Sequence, residues 1–479
     1  MRRIVHAYRH IAGAALACLF AGPISCGGES TNVLDNPPAC TPGQVAACPC
    51  SQGGSGTQTC EEDGTYGPCD CPGTGGSGGG TGGSGGSTGG SGGGTGGSSG
   101  SSGGSGGGTG GSGGSPGCDS PDPDTDVDGD GWTASQGDCD ECSADVNPGA
   151  YDFVGNGRDE DCSGAADDPV TRCDDGLPAV AFDEQVDAAN AAKALGLCQT
   201  SEESESGPWG VISAGYVFVD GSSVSLQPDS LLGSCTGVGG VGNPPNPSSH
   251  GILPDFGPHL SPLAGERLLA LSTGVARPGV NGDSPGGASM CTASATPYGF
   301  PRPTLAACPG VTFDVAQRAN DPMALELRIR PPSNAKSFSF AFNFHSWEYP
   351  IYVCSEYFDT FVALVDVPNV GPDNNVVWTE LGDPLSVNTQ LMGVCTPGTN
   401  GGIDFACPLG AEALAGTGFE EHAATGWLRT TVPVVPGEPF TIRFAIWDAG
   451  DEVLDSTVLL DDFRWHEEAL PVSTEREAP

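Results

Sequence analysis

Basic residues are scarce in this chain of 479: 17 Lys plus Arg stand against 60 Asp plus Glu, for a formal charge of -43. Such an imbalance repels phosphate backbones and anionic headgroups, which argues against nucleic acid as a partner and in favour of cations. Histidine is equally sparse. After the N-terminal segment only His250, His259, His345, His422 and His466 remain, and no H-E-x-x-H occurs among them, which excludes that type of zinc hydrolase. Long apolar runs are missing too: the stretch from Ile11 to Ala21 is too short to span a bilayer, and no later segment offers a span. Between Asp126 and Gly164 there is almost no apolar side chain from which to build a core, so something other than hydrophobic burial must hold that stretch together.

What the chain has in abundance is 78 Gly, 41 Pro and 20 Cys, the composition of a modular secreted protein. Arg2 and Arg3, the apolar run and the small residues before Cys26 form a signal-peptide layout over 1–25. The small-residue-then-Cys ending resembles a bacterial lipoprotein signal, which implies acylation of Cys26 and attachment to a membrane through the lipid; secretion after cleavage at Ala21 or Ser25 is the alternative. The expected location is the cell envelope, lipid-anchored at the outer membrane or cell surface, or else secreted. The remaining cysteines suit disulfides outside the cytosol, with the pairing left open.

Composition divides the rest into a tether at 26–39, a Cys-rich module at 40–72, a Gly/Ser-rich disordered linker at 73–116, an acidic module at 117–168, a β-rich region at 169–470 and a disordered tail at 471–479. The linker's root-mean-square span is on the order of 35–40 Å. The Cys-rich module has too few apolar residues for a core and depends on its disulfides.

In the acidic module Asp126, Asp128 and Asp130 alternate before Gly131, so three carboxylates can enter one turn while the backbone reverses and offers the carbonyl of Trp132. Asp138 and Asp140 are placed to complete the shell, and a second acidic turn supplies Asn156, Asp159 and Asp161. Hard oxygen donors of this kind select Ca²⁺. The Cys139-x-x-Cys142 spacing gives half a zinc site without its other half. No glutamate stands at the twelfth loop position and no helical pattern flanks the loop, so this is not an EF-hand. The run D-x-D-G-D-G, G-D-C-D, N-P-G-A, N-G-x-D-E-D-C from Asp126 to Cys162 resembles the metal-binding repeat named after the surface copper protein MopE and, more loosely, thrombospondin type 3 calcium loops.

The C-terminal region reads as mainly β. "KSFSFAFNF" puts Phe338, Phe340, Phe342 and Phe344 on one face of a half-buried strand, and "FDTFVALVDV", "VVWTEL", "WLRTTVPV", "FTIRFAIW" and "STVLLDDFRW" predict further strands of a jelly-roll-like β-sandwich. "VDAANAAKALGLC" predicts a helix at its edge. "LLALSTG", "SWEYP", "YFDTF" and "DAGDEVLDSTVLL" resemble the choice-of-anchor L domain of bacterial surface proteins across about 180–466. That family shows two glutamates where this chain has Trp347 and Glu348, and Asn where it has Phe358.

Asp448, Asp451 and Asp455 suggest a second cation site near the last strands, against the alternative of a solvated acidic turn. "GDSPG" at 282–286 lacks the amide that an oxyanion elbow needs, because Pro285 follows the serine. "GVGGVG" at 237–242 runs into Asn243-Pro244-Pro245 where a dinucleotide fold requires a helix. The sequence therefore predicts a surface-anchored, calcium-stabilised binding or display protein without catalysis, with an extracellular glycan or protein as ligand. The alternatives are a copper-scavenging lipoprotein and a secreted hydrolase built on His345, Glu348 and Asp359.

Overall fold

The computed structural model describes residues 45–49, 55–59 and 122–477, apart from 180–183, 205–206, 225–246, 280–291, 314–317, 369, 371–372 and 451–452. Cys26, the linker, both glycine-containing motifs and Asp451 lie outside the described residues. The chain forms two compact units, 1–105 and 106–479. In the first, β1 (Val45–Pro49) and β2 (Ser55–Thr59) make an antiparallel hairpin with Val45 opposite Thr59.

The second unit is an antiparallel β-sandwich. One sheet runs in the order β10 (Leu385–Ser386), β9 (Thr360–Val365), β15 (Phe440–Asp448), β7 (Ala319–Arg330) and β3 (Gly210–Val217), with β6 (Ala293–Ser294) also on β7. The other runs β17 (Ser473–Arg476), β14 (Leu428–Pro433), β8 (Ser337–Ser346), β16 (Ser456–His466), β5 (Leu268–Ser272) and β4 (His250–Leu253), with β13 (Ala423–Ala424) also on β8. A separate hairpin joins β11 (Gly398–Asn400) to β12 (Ile403–Phe405). From β7 to β9 and again from β14 to β16, successive strands alternate between the sheets, the crossing habit of a jelly roll. The outermost strands are short: β10 has two residues, β4 and β17 four each. The longer β3 is covered at one end, where the Val211 N–H donates to Gln199 O (2.8 Å) and the Ser201 N–H to Val211 O (2.9 Å).

The phenylalanine ladder of β8 holds the sheets together. Phe338 stacks on Phe440 at 5.0 Å, Phe340 meets Phe444 edge-on at 5.0 Å and Phe342 meets Phe361 at 5.4 Å, so rings from one sheet reach β15 and β9 of the other. Burying each such ring contributes about 1.5–3 kcal/mol. The strand is not half-buried as its alternation suggests, because every residue from Ser337 to Ser346 is buried. Phe256, Leu260, Leu414 and Phe419 cover the outer face of this sheet in a second apolar cluster with Leu268, Ala270 and Leu459.

"VVWTEL" is not a strand. Asn375 ties it into a turn: its Oδ1 accepts from the N–H of Ala363 (3.1 Å) and Val377 (3.2 Å), and its backbone carbonyl accepts from the Trp378 indole (2.6 Å). Conversely β7 carries Pro322 inside a strand. The ladder skips there, with Asn320 opposite Asp448 and Met323 opposite Ile446, and Asp321 takes φ 43°. The tail at 471–479 is not disordered throughout. β17 pairs with β14, Thr474 and Thr430 hydroxyls meet at 2.8 Å, and Glu477 accepts from Arg429 at 2.8 Å.

Helix α1 (Glu184–Ala194) packs on β3, β4 and β5, bridging the edges of both sheets. Its buried Ala188, Ala191 and Ala192 permit close approach, and Gly196 at φ 90° ends it with the Leu197 N–H returning to Ala192 O at 3.0 Å. Disulfides join Cys139–Cys162, Cys173–Cys198, Cys308–Cys354 and Cys395–Cys407, and Cys142 is disulfide-bonded as well. Cys139 and Cys142 are therefore not a thiolate pair for zinc.

The acidic segment docks on the turn between β7 and β8. Buried Asn334 accepts from the Tyr151 N–H (2.8 Å) and donates to Tyr151 O (2.9 Å) and Asp145 O (3.3 Å), while Ser333 donates to Gly149 O (3.0 Å) and Asn147 Oδ1 (2.7 Å). Net hydrogen-bond contributions of about 1 kcal/mol each put the cost of Asn334→Ala at about 2–3 kcal/mol. Limited proteolysis should then cut within 122–168 while the sandwich stays intact.

Candidate metal centres

The first acidic loop folds on its own carboxylates. Asp126 accepts from the N–H of Gly129 (2.6 Å) and Gly131 (3.0 Å), Asp128 Oδ1 from Asp130 (3.3 Å), Asp130 Oδ1 from Trp132 (2.7 Å) and Asp138 Oδ1 from Asp140 (2.9 Å). Gly131 needs its positive φ of 94° to turn the chain here. Each of these aspartates after the first spends one oxygen on the backbone. The other oxygens, Asp128 Oδ2, Asp130 Oδ2 and Asp138 Oδ2, are buried without a hydrogen-bond partner, as is Glu141 Oε1. Ligand oxygens of Asp126, Asp128 and Asp130 lie within 4.8 Å of one another. Burial, then neighbouring carboxylates, raises Asp128 and Asp138 above the usual range, and burial with Asp128 and Asp138 beside it pushes Asp130 up to about 6. Beyond the Ser143 N–H beside Asp128 and the Asn147 side chain beside Asp130, these clustered carboxylates face one another, the environment a hard divalent cation satisfies, and the set fits calcium.

The second acidic loop repeats the first. Asp159, Asp161, Ser163 and Gly164 take the places of Asp126, Asp128, Asp130 and Gly131: the Gly164 N–H donates to Asp159 Oδ2 at 3.0 Å, the Ser163 N–H to Asp161 Oδ1 at 3.0 Å, and Gly164 has φ 94°. Asp152 and Asp168 complete a group with Asp161 whose ligand oxygens lie within 4.8 Å, and Asp152 Oδ1 and Asp159 Oδ1 are buried without a partner. Asn156 does not enter this group. Its amide donates to Glu160 Oε1 at 2.6 Å and its oxygen accepts from the Arg158 N–H at 2.8 Å. Asp140 likewise caps the Cys142 N–H, at 3.4 Å. Sequence spacing missed Glu141, Asp152 and Asp168; the Asp-x-Asp-x-Ser-Gly echo of the first loop was the available signal for the second.

A third acidic group lies inside the sandwich. Glu348 follows β8, Asp359 precedes β9, Asp448 ends β15 and Asp455 precedes β16, so the ends of strands from both sheets meet. Ligand oxygens of Glu348, Asp359 and Asp448 lie within 4.8 Å, and all three residues are buried. Ser456 Oγ donates to Glu348 Oε2 at 3.3 Å, Ser346 Oγ also donates to it, and Thr273 Oγ1 donates to Asp359 Oδ2 at 3.4 Å. No N–H or hydroxyl donates to either oxygen of Asp448, which faces the Asp359 carboxyl. Burial first, then Asp359, lifts Glu348 well above the ordinary carboxylate range; burial, then Asp359, Asp455 and Asp321, does the same to Asp448. At such separations two carboxylates repel by about 3–4 kcal/mol at an effective dielectric of ~20. Asp448 and Asp455 are thus near one another as the sequence suggested, but the group closes on Glu348 and Asp359.

The hydrolase constellation does not form. His345, Glu348 and Asp359 are all buried rather than set in an open cleft. The His345 ring lies 5.3 Å from both Phe256 and Phe419, and burial holds its pKa down at about 3.

These features define a disulfide-stapled β-sandwich carrying a two-loop acidic module. Residues 271–463 match the family model described as Choice-of-anchor L domain. The match contains Glu348, Asp359, Asp448 and Asp455 and leaves the acidic module outside. A solved structure, TmCBM61 in complex with beta-1,4-galactotriose, is similar at 8% identity and a TM-score of 0.17 over 46% of this chain and 83% of its own. No curated protein matches the chain in sequence.

Proposed function

We propose that the chain is a secreted or surface-associated protein that binds or displays without catalysis, and that calcium folds its acidic module onto the flank of the sandwich. The observation that carries the calcium reading is the set of buried, partnerless oxygens on Asp128, Asp130, Asp138 and Glu141. The choice-of-anchor L match over 271–463 supports the surface association, as do the disulfides. Acylation at Cys26 would tether the sandwich through the 73–116 linker, and an extracellular glycan or protein would be its ligand. Copper scavenging is disfavoured by donor chemistry: with Cys139, Cys142 and Cys162 oxidised, the described residues of the module offer neither thiolate nor imidazole.

Native mass spectrometry of the EDTA-stripped full chain, returned to CaCl₂ or CuCl₂, tests the metal. Loss of the module's calcium ions, read as a lower calcium count, is expected in the Asp128→Asn, Asp161→Asn double variant; tighter copper uptake would replace this reading with the scavenger. Binding of the full chain to glycan arrays and intact cells tests the ligand, and no signal on either would leave display alone.

A further inference from the structure

We infer that Glu348, Asp359 and Asp448 hold a divalent cation that clamps the two sheets together at one end of the sandwich. Asp448 is the decisive residue. It is fully buried, aimed into the group, and no N–H or hydroxyl donates to either of its oxygens, its polar neighbour being the Asp359 carboxyl. Protein interiors leave such groups unsatisfied rarely, and a carboxylate more rarely still.

The surrounding hydroxyls orient the cluster without neutralising it. Ser346 and Ser456 face one another across the β8–β16 ladder and both donate to the same oxygen of Glu348, which leaves Oε1 for another role. Thr273, just after β5, directs Asp359. Gly274 stands where a Cβ would fall inside the Asp455 carboxylate, so the backbone of that turn and this side chain are in close contact. Among the described residues no Lys, Arg or His forms an ion pair with Glu348 or Asp448, and the charges acting most strongly on Asp448 are further carboxylates. The donors are all hard oxygens, which selects Ca²⁺ over softer ions. The strands whose ends carry them, β9 and β15 of one sheet and β8 of the other, are the ones an ion there would bridge.

The test separates this ion from those of the acidic module. In the full chain, Asp126→Asn, Asp128→Asn, Asp159→Asn and Asp161→Asn together silence both loops and leave the sandwich untouched. After EDTA stripping and return to CaCl₂, native mass spectrometry is expected to count one calcium per chain, and a count of zero overturns the proposal even if the module sites prove real. Adding Asp448→Asn to that background should abolish the remaining ion and the calcium-dependent rise in melting temperature; an ion that persists lies elsewhere and overturns the assignment. Where Asp448→Asn fails to fold, Glu348→Gln serves the same comparison. A zero count together with a higher melting temperature for Asp448→Asn would mean that protons, not a cation, neutralise the cluster, which also overturns it.

Discussion

EDTA is expected to withdraw about 5 kcal/mol from the acidic module, because two sites at free calcium about 100 times Kd each contribute about 2.7 kcal/mol. The segment from 122 to 168 has few apolar contacts to fall back on, so its resonances in an NMR fingerprint should collapse before the sandwich melts. An unchanged spectrum would contradict the ion-folded module. The pH dependence gives an independent check of sign. Asp130, at about 6 in the folded chain against 3.8 ordinarily, binds a proton more tightly when folded than when unfolded. In EDTA its unfavourable contribution is complete above about 6 and disappears toward 3.8, so stability should rise as pH falls through that window. With calcium present the trend reverses, because protonation of Asp130 competes with the ion.

Phe340→Ala is expected to cost about 3–5 kcal/mol, since it removes a fully buried ring that meets Phe444 at 5.0 Å and Phe342 at 6.1 Å and leaves a cavity between the sheets. Phe340→Leu should cost about 1.5 kcal/mol or less. Urea titration of the full chain in saturating calcium reads both, with the slope unchanged. A loss below about 1 kcal/mol for the alanine variant would mean that the sheets do not pack through this ring.

Much of the sandwich was legible because a period-two pattern is a strong signal: burial alternates along β14 and the first half of β15, and in β8 the phenylalanines alternate with smaller residues although the whole strand is buried. The strand expected from "VVWTEL" failed because burial of Val376 and Val377 says nothing about backbone pairing, and the Asn375 side chain claims the amide that a ladder would use. β7 went unrecognised because Pro322 removes a donor, which the bulge at Asp321 absorbs. At the first acidic loop Asp126, Asp128, Asp130 and Asp138 could be read from spacing, since they are local and glycine marks the turn. Glu141 is reached only by knowing that the Val127 N–H donates to its Oε2 at 3.1 Å. Asp152 and Asp168 are separated by sixteen positions and met through chain folding, as were Glu348, Asp359 and Asp448.

The brevity of the outermost strands bears on how copies of the chain can meet. Two residues at β10 and four at β4 and β17 give an incoming chain too short a rail of free amides and carbonyls to zip onto, and the 199–201 segment caps one end of the longer β3. Among the described residues, the short outer strands therefore disfavour edge-to-edge pairing between copies of the chain and favour association through side chains and loops.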